Sequence, residues 1–129
     1  MCKKVLLCDD EIHILRTAEM RIRQAGFQVR AARDGQSAWE AILEDRPDVL
    51  VTDVQMPRMD GFELMRRVRA NPSTRDLPIV MLTAKGFELS TDEMAQKWGV
   101  TAVLAKPFSP RELTRKLEEI AAAATVGSH

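Results

Sequence analysis

Five short apolar runs alternate along the chain with five stretches of helical spacing. Val5-Leu6-Leu7-Cys8, Val49-Leu50-Val51 and Ile79-Val80-Met81-Leu82 contain no charged position, as expected of strands buried on both faces. Weaker runs at Phe27-Gln28-Val29-Arg30-Ala31 and Ala102-Val103-Leu104 supply two more strands. Ile14, Leu15, Ala18, Ile22 and Ala25 form a first helical stripe, closed by Gly26 in a C-cap position. Ala38, Ile42 and Leu43 form a second, stopped before Pro47, and Phe62, Leu64, Met65 and Val68 a third, ended by Asn71-Pro72. Leu89, Met94, Ala95 and Trp98 form a fourth, ended by Gly99. The fifth helix opens on Ser109-Pro110-Arg111-Glu112, a capping box with proline at the first helical position. This βα alternation predicts an α/β fold, a five-stranded parallel sheet with helices on both faces and right-handed crossovers.

Composition narrows the classes. A chain of 129 residues with 45% hydrophobic and 29% charged content suits one globular domain. Its 19 basic and 19 acidic residues balance, which gives no reason to expect nucleic-acid or membrane-surface binding. No apolar run approaches the roughly 20 residues of a membrane span, and the acidic start is unlike a signal peptide, so a cytoplasmic location is expected. Cys2 and Cys8 lie too close to staple a fold, and Cys8 reads as a small core residue. The domain is expected over residues 1–124, with 125–129 as a disordered tail or expression remnant.

The chemistry lies where each buried strand stops being apolar. The first ends in Cys8-Asp9-Asp10, the third in Thr52-Asp53, the fourth in Leu82-Thr83-Ala84 and the fifth in Ala105-Lys106-Pro107. Open α/β sheets place ligands at the carboxyl ends of strands, and in a 2-1-3-4-5 order the first and third strands flank the switch point. Asp9, Asp10 and Asp53 would converge there, with Thr83 beside them and Lys106 reaching in. Three carboxylates in one crevice repel one another, and a divalent cation relieves this. An oxygen-only donor set matches Mg²⁺ better than zinc or copper. Three acids, one lysine and one divalent cation balance formally, and a phosphoryl group on a carboxylate would add about one negative charge. Positioning and charge stabilisation are most of what phosphoryl transfer requires.

Asp9-Asp10, then Asp53 followed by Gln55-Met56-Pro57-Arg58-Met59-Asp60-Gly61, then Thr83-Ala84, then Lys106-Pro107-Phe108, resembles the receiver (CheY-like) domain of two-component response regulators. The resemblance runs from about Lys4 to the end of the last helix and implies a flavodoxin-like fold. It implies that Asp53 accepts phosphate from a histidine kinase as an acyl phosphate. It further implies Mg²⁺ at Asp10, Asp53 and the Gln55 backbone carbonyl, with Asp9 acting through a water. Lys106 would pair with phosphoryl oxygens, Thr83 would turn its hydroxyl towards them, and Ala84 would leave them space. The Lys106–Pro107 bond is a candidate for cis. Val103 stands where many receivers carry a switching aromatic, so output by ring burial is not expected. Gln55 and Lys85 occupy positions that tune acyl-phosphate lifetime in the family.

By the same resemblance the domain catalyses only its own phosphorylation and dephosphorylation. Its partners are a sensor histidine kinase or histidine phosphotransfer protein, and a downstream protein met through the face of the fourth helix, fifth strand and fifth helix. Neither nucleic acid nor membrane is expected as a direct partner. Other polar residues have plainer readings: Asp60 as N-cap of the third helix, Glu11 as the start of the first, and His13 on that helix's surface or seam. Thr52 fills the strand, Trp98 packs in a core or seam, and Glu63, Arg66, Arg67 and Arg69 form a solvated helix face. A small-molecule phosphatase usually carries a second acid two residues after its nucleophile, where this chain has Gln55. A nucleotide or flavin binder on this fold would need a glycine-rich phosphate loop, and none follows any strand. An inactive docking receiver would lack some of the five site residues, all of which are present.

Overall fold

The structure, a computed structural model, describes residues 3–54, 56, 58–83 and 91–127, with only the backbone described at 91, 92, 94, 95 and 124–127. The strands are β1 (Lys4–Cys8), β2 (Gln28–Ala32), β3 (Val49–Asp53), β4 (Ile79–Thr83) and β5 (Ala102–Ala105). The helices are α1 (Ile12–Gln24), α2 (Gly35–Glu44), α3 (Gly61–Ala70), α4 (Thr91–Trp98) and α5 (Pro110–Gly127). The sheet is parallel throughout, in the order β2-β1-β3-β4-β5, which is the expected doubly wound, flavodoxin-like arrangement.

Alternation along each strand sorts its side chains between two cores. Val5 and Leu7 of β1, Val49 and Val51 of β3, and Val80 and Leu82 of β4 face Leu15, Ala18 and Ile22 of α1 and Leu113, Leu117 and Ile120 of α5. Leu6, Cys8, Leu50, Ile79 and Met81 face Ala38 and Ile42 of α2 and Leu64, Met65 and Val68 of α3. β1, β3 and β4 therefore carry apolar residues on both faces, whereas β2, at the edge, is largely exposed. Cys8 is wholly buried, and burial pushes its thiol pKa up, as suits an inert core residue. Among the described residues no helix is long and apolar enough to cross a membrane.

Helix ends follow the local signals. Gly26 and Gly99 adopt left-handed φ of 99° and 64° after α1 and α4. Asp34, Asp60 and Ser109 cap α2, α3 and α5 by accepting from the amides of Ser37, Glu63 and Glu112. Three expectations need correcting. Leu43 is 56% exposed, because Ala38, Ala41 and Ile42 define the inward stripe and residue 43 turns away from it. Ala25 caps α1 and is exposed rather than part of its stripe. β2 begins at Gln28, leaving Phe27 buried just before it. Leu89 and the side chains of Met94 and Ala95 lie outside the described residues.

Arg69 departs furthest from the sequence reading. Glu63, Arg66 and Arg67 do pair at the surface, where the two arginines hold the Glu63 carboxyl down to about 2. Arg69 instead turns inward and donates to four backbone carbonyls. Nε reaches Trp98 O at 2.6 Å, Nη1 reaches Arg75 O at 2.8 Å and Leu77 O at 2.7 Å, and Nη2 reaches Gly99 O at 2.9 Å. One guanidinium thus joins the end of α3 to the C-terminus of α4 and to the segment entering β4.

Candidate phosphoacceptor site

Strand register assembles the site. Cys8 pairs with Thr52, so the residues that follow β1 meet the end of β3. Asp53 pairs with Leu82, and Thr83 pairs with Ala105, whose neighbour Lys106 donates its amide to Thr83 O at 2.7 Å. Asp9, Asp10, Asp53, Thr83 and Lys106 therefore all sit at the carboxyl edge of the sheet, around the β1–β3 switch point. One carboxylate oxygen from each of Asp9, Asp10 and Asp53 lies within 4.8 Å of the other two. Asp9 and Asp53 are buried, and Asp10 is exposed at the mouth.

Lys106 is the counter-charge. Its Nζ donates to Asp53 Oδ2 at 2.9 Å and to Glu11 Oε1 at 2.7 Å. It also lies 2.9 Å from Asp9 Oδ2, an ion pair outside hydrogen-bond geometry that leaves this oxygen without a hydrogen-bond partner among the described residues. The Lys106–Pro107 peptide is cis, as expected. Burial opposes the charged ammonium, yet the hydrogen bonds to Asp53 and Glu11 and the negative charge of Asp9 outweigh it and hold Lys106 above the usual lysine range. Asp9 is pushed up from the ordinary carboxylate value by burial and by the nearby Asp53. The Glu11 amide on Asp9 Oδ1 and Lys106 only partly offset this. Thr83 is wholly buried, and its Oγ1 has no hydrogen-bond partner among the described residues.

The donor set fits a hard divalent cation: oxygen-only, carboxylate-rich and partly open. The charge balance differs from the sequence expectation, however, because Glu11 joins the cluster. Glu11 occupies the N-cap position of α1 but makes no side-chain cap; its carboxylate is spent on Lys106. Four acids then share the cluster with one ammonium, three of them paired with it, which strengthens the demand for a cation. This pairing spans 95 residues of sequence, and only the adjacency of Glu11 to Asp9-Asp10 hinted at it.

The remaining residues fall as follows. Asp60 is the N-cap of α3, and His13 is exposed on α1. Thr52 is buried and donates to Asp53 O at 3.0 Å. Val103 and Trp98 are half-buried against the α2–α3 core. Gln55, Ala84 and Lys85 lie outside the described residues. An Asp34–Arg58 ion pair at 2.8 Å, which the sequence did not suggest, ties the segment after β3 to the start of α2.

Known proteins share this arrangement. The model of the response regulator receiver domain family matches residues 5–118. The phosphate regulon transcriptional regulatory protein PhoB of Pseudomonas aeruginosa is 37% identical over 120 residues, covering 92% of this chain and 51% of that protein. The chain spans about half the length of the curated relatives it matches. The chemotaxis response regulator CheY4 of Vibrio cholerae superposes with a TM-score of 0.84 at 33% identity, over 93% of this chain and 99% of that one. The receiver domain of the sensor histidine kinase PA1611 from Pseudomonas aeruginosa, solved with a magnesium ion coordinated in its active site cleft, gives 0.81 at 30% identity, over 94% and 99%. Sheet order, strand-end chemistry and these likenesses agree: the chain belongs to the response regulator receiver domain family of two-component systems.

Proposed function

We propose that Asp53 is the phosphoacceptor of this receiver and that its modification depends on Mg²⁺. The observation that carries the reading is the convergence of Asp9, Asp10 and Asp53 oxygens within 4.8 Å, with Asp53 held by Lys106 at 2.9 Å. The magnesium described for the PA1611 receiver supports the choice of ion. Asp10 and Asp53 would hold Mg²⁺ directly, the Gln55 backbone carbonyl would add a ligand, and Asp9 would act through a water. Bound there, the ion supplies positive charge next to the phosphoryl oxygens.

The chain's own residues do the rest. A carboxylate oxygen of Asp53 attacks phosphorus while the bond to the donor's nitrogen or acyl oxygen breaks, the electron pair leaving with the donor. The product is an acyl phosphate carrying about one more negative charge than the carboxylate it replaces. Lys106 then exchanges its bond to Asp53 for one to a phosphoryl oxygen. The buried Thr83 hydroxyl, without a partner among the described residues, donates to another. That last bond is the switch: a buried donor gains its acceptor only in the phosphorylated state. Ala84 would leave the phosphoryl group its space, and Gln55 and Lys85 would set how readily water reaches the acyl phosphate.

The donor in this reading is a histidine kinase or a histidine phosphotransfer protein. The domain catalyses its own phosphorylation and dephosphorylation only. Output passes to a protein partner through the face of α4, β5 and α5, without ring burial at Val103. The test is incubation with acetyl phosphate and Mg²⁺, read by intact mass. One phosphoryl adduct is expected, lost in Asp53→Asn and lost without Mg²⁺. An unmodified wild-type chain, or an Asp53→Asn protein modified as fully as wild type, defeats the proposal.

A further inference from the structure

The stretch 58–61, which leads into α3, is braced from outside that helix. At its base the Gly61 amide donates to Val54 O at 2.7 Å, and a Cβ on Gly61 would come within 2.2 Å of Asp53 O. At its far side a Cβ on Gly35, the first residue of α2, would come within 2.0 Å of Met59 O. Met59 is therefore seated directly on the first turn of α2. Met56 and Met59 are themselves buried in the α2–α3 core.

Between these anchors stands Arg58, with φ of 67°, the one non-glycine residue in the left-handed region among the described residues. A side chain with a Cβ adopts that conformation only where its surroundings impose it. Here the guanidinium donates to Asp34 Oδ2 at 2.8 Å and to Ser37 Oγ at 3.2 Å. Asp34 is itself fixed, since its other oxygen accepts from the Ser37 amide at 2.7 Å to cap α2. The Asp34 side chain is 15% exposed, so the pair is anchored on a held carboxylate although Arg58 itself is largely open to solvent.

We propose that Arg58, acting through Asp34, is a positioning residue for the phosphorylation site. The Arg58–Asp34 latch holds the stretch 58–61 against α2 and, through the bond from the Gly61 amide to Val54 O, keeps Asp53 where it binds the divalent cation. The inference rests on the phosphoacceptor reading above. It extends that reading to α2, which contributes no residue to the acidic cluster.

The experiment compares Arg58→Asn, Arg58→Lys, Asp34→Asn and the Arg58→Asn/Asp34→Asn double variant with wild type. Asparagine tolerates left-handed φ and caps helices as well as aspartate does, so both Asn substitutions remove the ion pair while sparing backbone and cap. Mg²⁺ affinity is read without phosphodonor, from amide chemical shifts during titration with MgCl₂. Each Asn variant should bind Mg²⁺ about three- to five-fold more weakly, the scale of one partly screened ion pair. The double variant should be no weaker than either single, and Arg58→Lys should recover part of the loss. At saturating Mg²⁺ the labelling rate with acetyl phosphate should match wild type. A merely structural latch would lower the urea midpoint and leave Mg²⁺ affinity untouched, and that result overturns the proposal, as does full additivity in the double variant. Wild-type protein that takes no label defeats the phosphoacceptor reading instead, so the two failures are distinct.

Discussion

Replacing Arg69 with methionine keeps most of the aliphatic volume and removes every bond of the guanidinium. Two of the four lost bonds, to Trp98 O and Leu77 O, are part-buried, and two, to Arg75 O and Gly99 O, are exposed. Hydrogen bonds from a charged donor contribute about 1.5–3 kcal/mol when shielded, and the exposed pair is worth about 0.5 kcal/mol each. Against this, burial disfavours the charged guanidinium and lowers its pKa, so removing it recovers some desolvation energy. The net expectation for Arg69→Met is a loss of about 2–3 kcal/mol, or roughly 8–12 °C in Tm for a chain of this size. Arg69→Lys should lose more than half as much, because a single ammonium cannot span carbonyls on both α4 and the β4 approach. Urea unfolding with an unchanged m-value measures the loss, and amide exchange should accelerate around residues 97–101. A loss below about 1 kcal/mol for Arg69→Met, or wild-type stability for Arg69→Lys, would refute the clamp.

Three further outcomes follow from the same geometry. Thr83→Val removes a buried hydroxyl with no partner among the described residues, so it should leave the unphosphorylated protein equally stable or about 1 kcal/mol more stable; a loss of more than 1 kcal/mol in urea unfolding would mean the hydroxyl is already bonded. Mg²⁺ with beryllofluoride should change the tryptophan emission, since Trp98 ends α4, while the same addition to Thr83→Val should give a smaller change; equal changes in both would remove Thr83 from the signal path. Asp34 is held below its ordinary pKa: burial opposes this, but the Ser37 and Arg58 bonds overcome it. Its cap therefore stabilises the fold above the unfolded pKa near 3.8 and is lost as pH falls further. Asp34→Ala should cost about 1 kcal/mol at pH 7, and the difference from wild type should shrink below pH 4; a constant difference down to pH 2.5 would contradict this.

The order of elements, the two-sided burial of the central strands and several helix-end residues were legible in the chain, because each depends on neighbours within a few positions, although Asp34, the cap of α2, was not singled out. Gly26, Asp60 and Ser109 work locally, and the apolar runs at β1, β3 and β4 needed no partner to be recognised. The acids, Thr83 and Lys106 were also legible, because parallel strands bring their carboxyl ends together once the sheet order is known. What the sequence could not show was how the charges pair. Glu11 looks like a helix start, Arg69 like one more solvated arginine, and Arg58 like a loop residue. Glu11 meets Lys106 across 95 residues, Arg58 meets Asp34 across 24, and Arg69 reaches as far as Gly99, 30 residues on. Long charged side chains have many reachable partners of similar energy in water, and only the packed backbone selects among them. Local pattern therefore determined the fold and the strand-end residues that meet at the site, while tertiary packing decided which partners Glu11, Arg58 and Arg69 take.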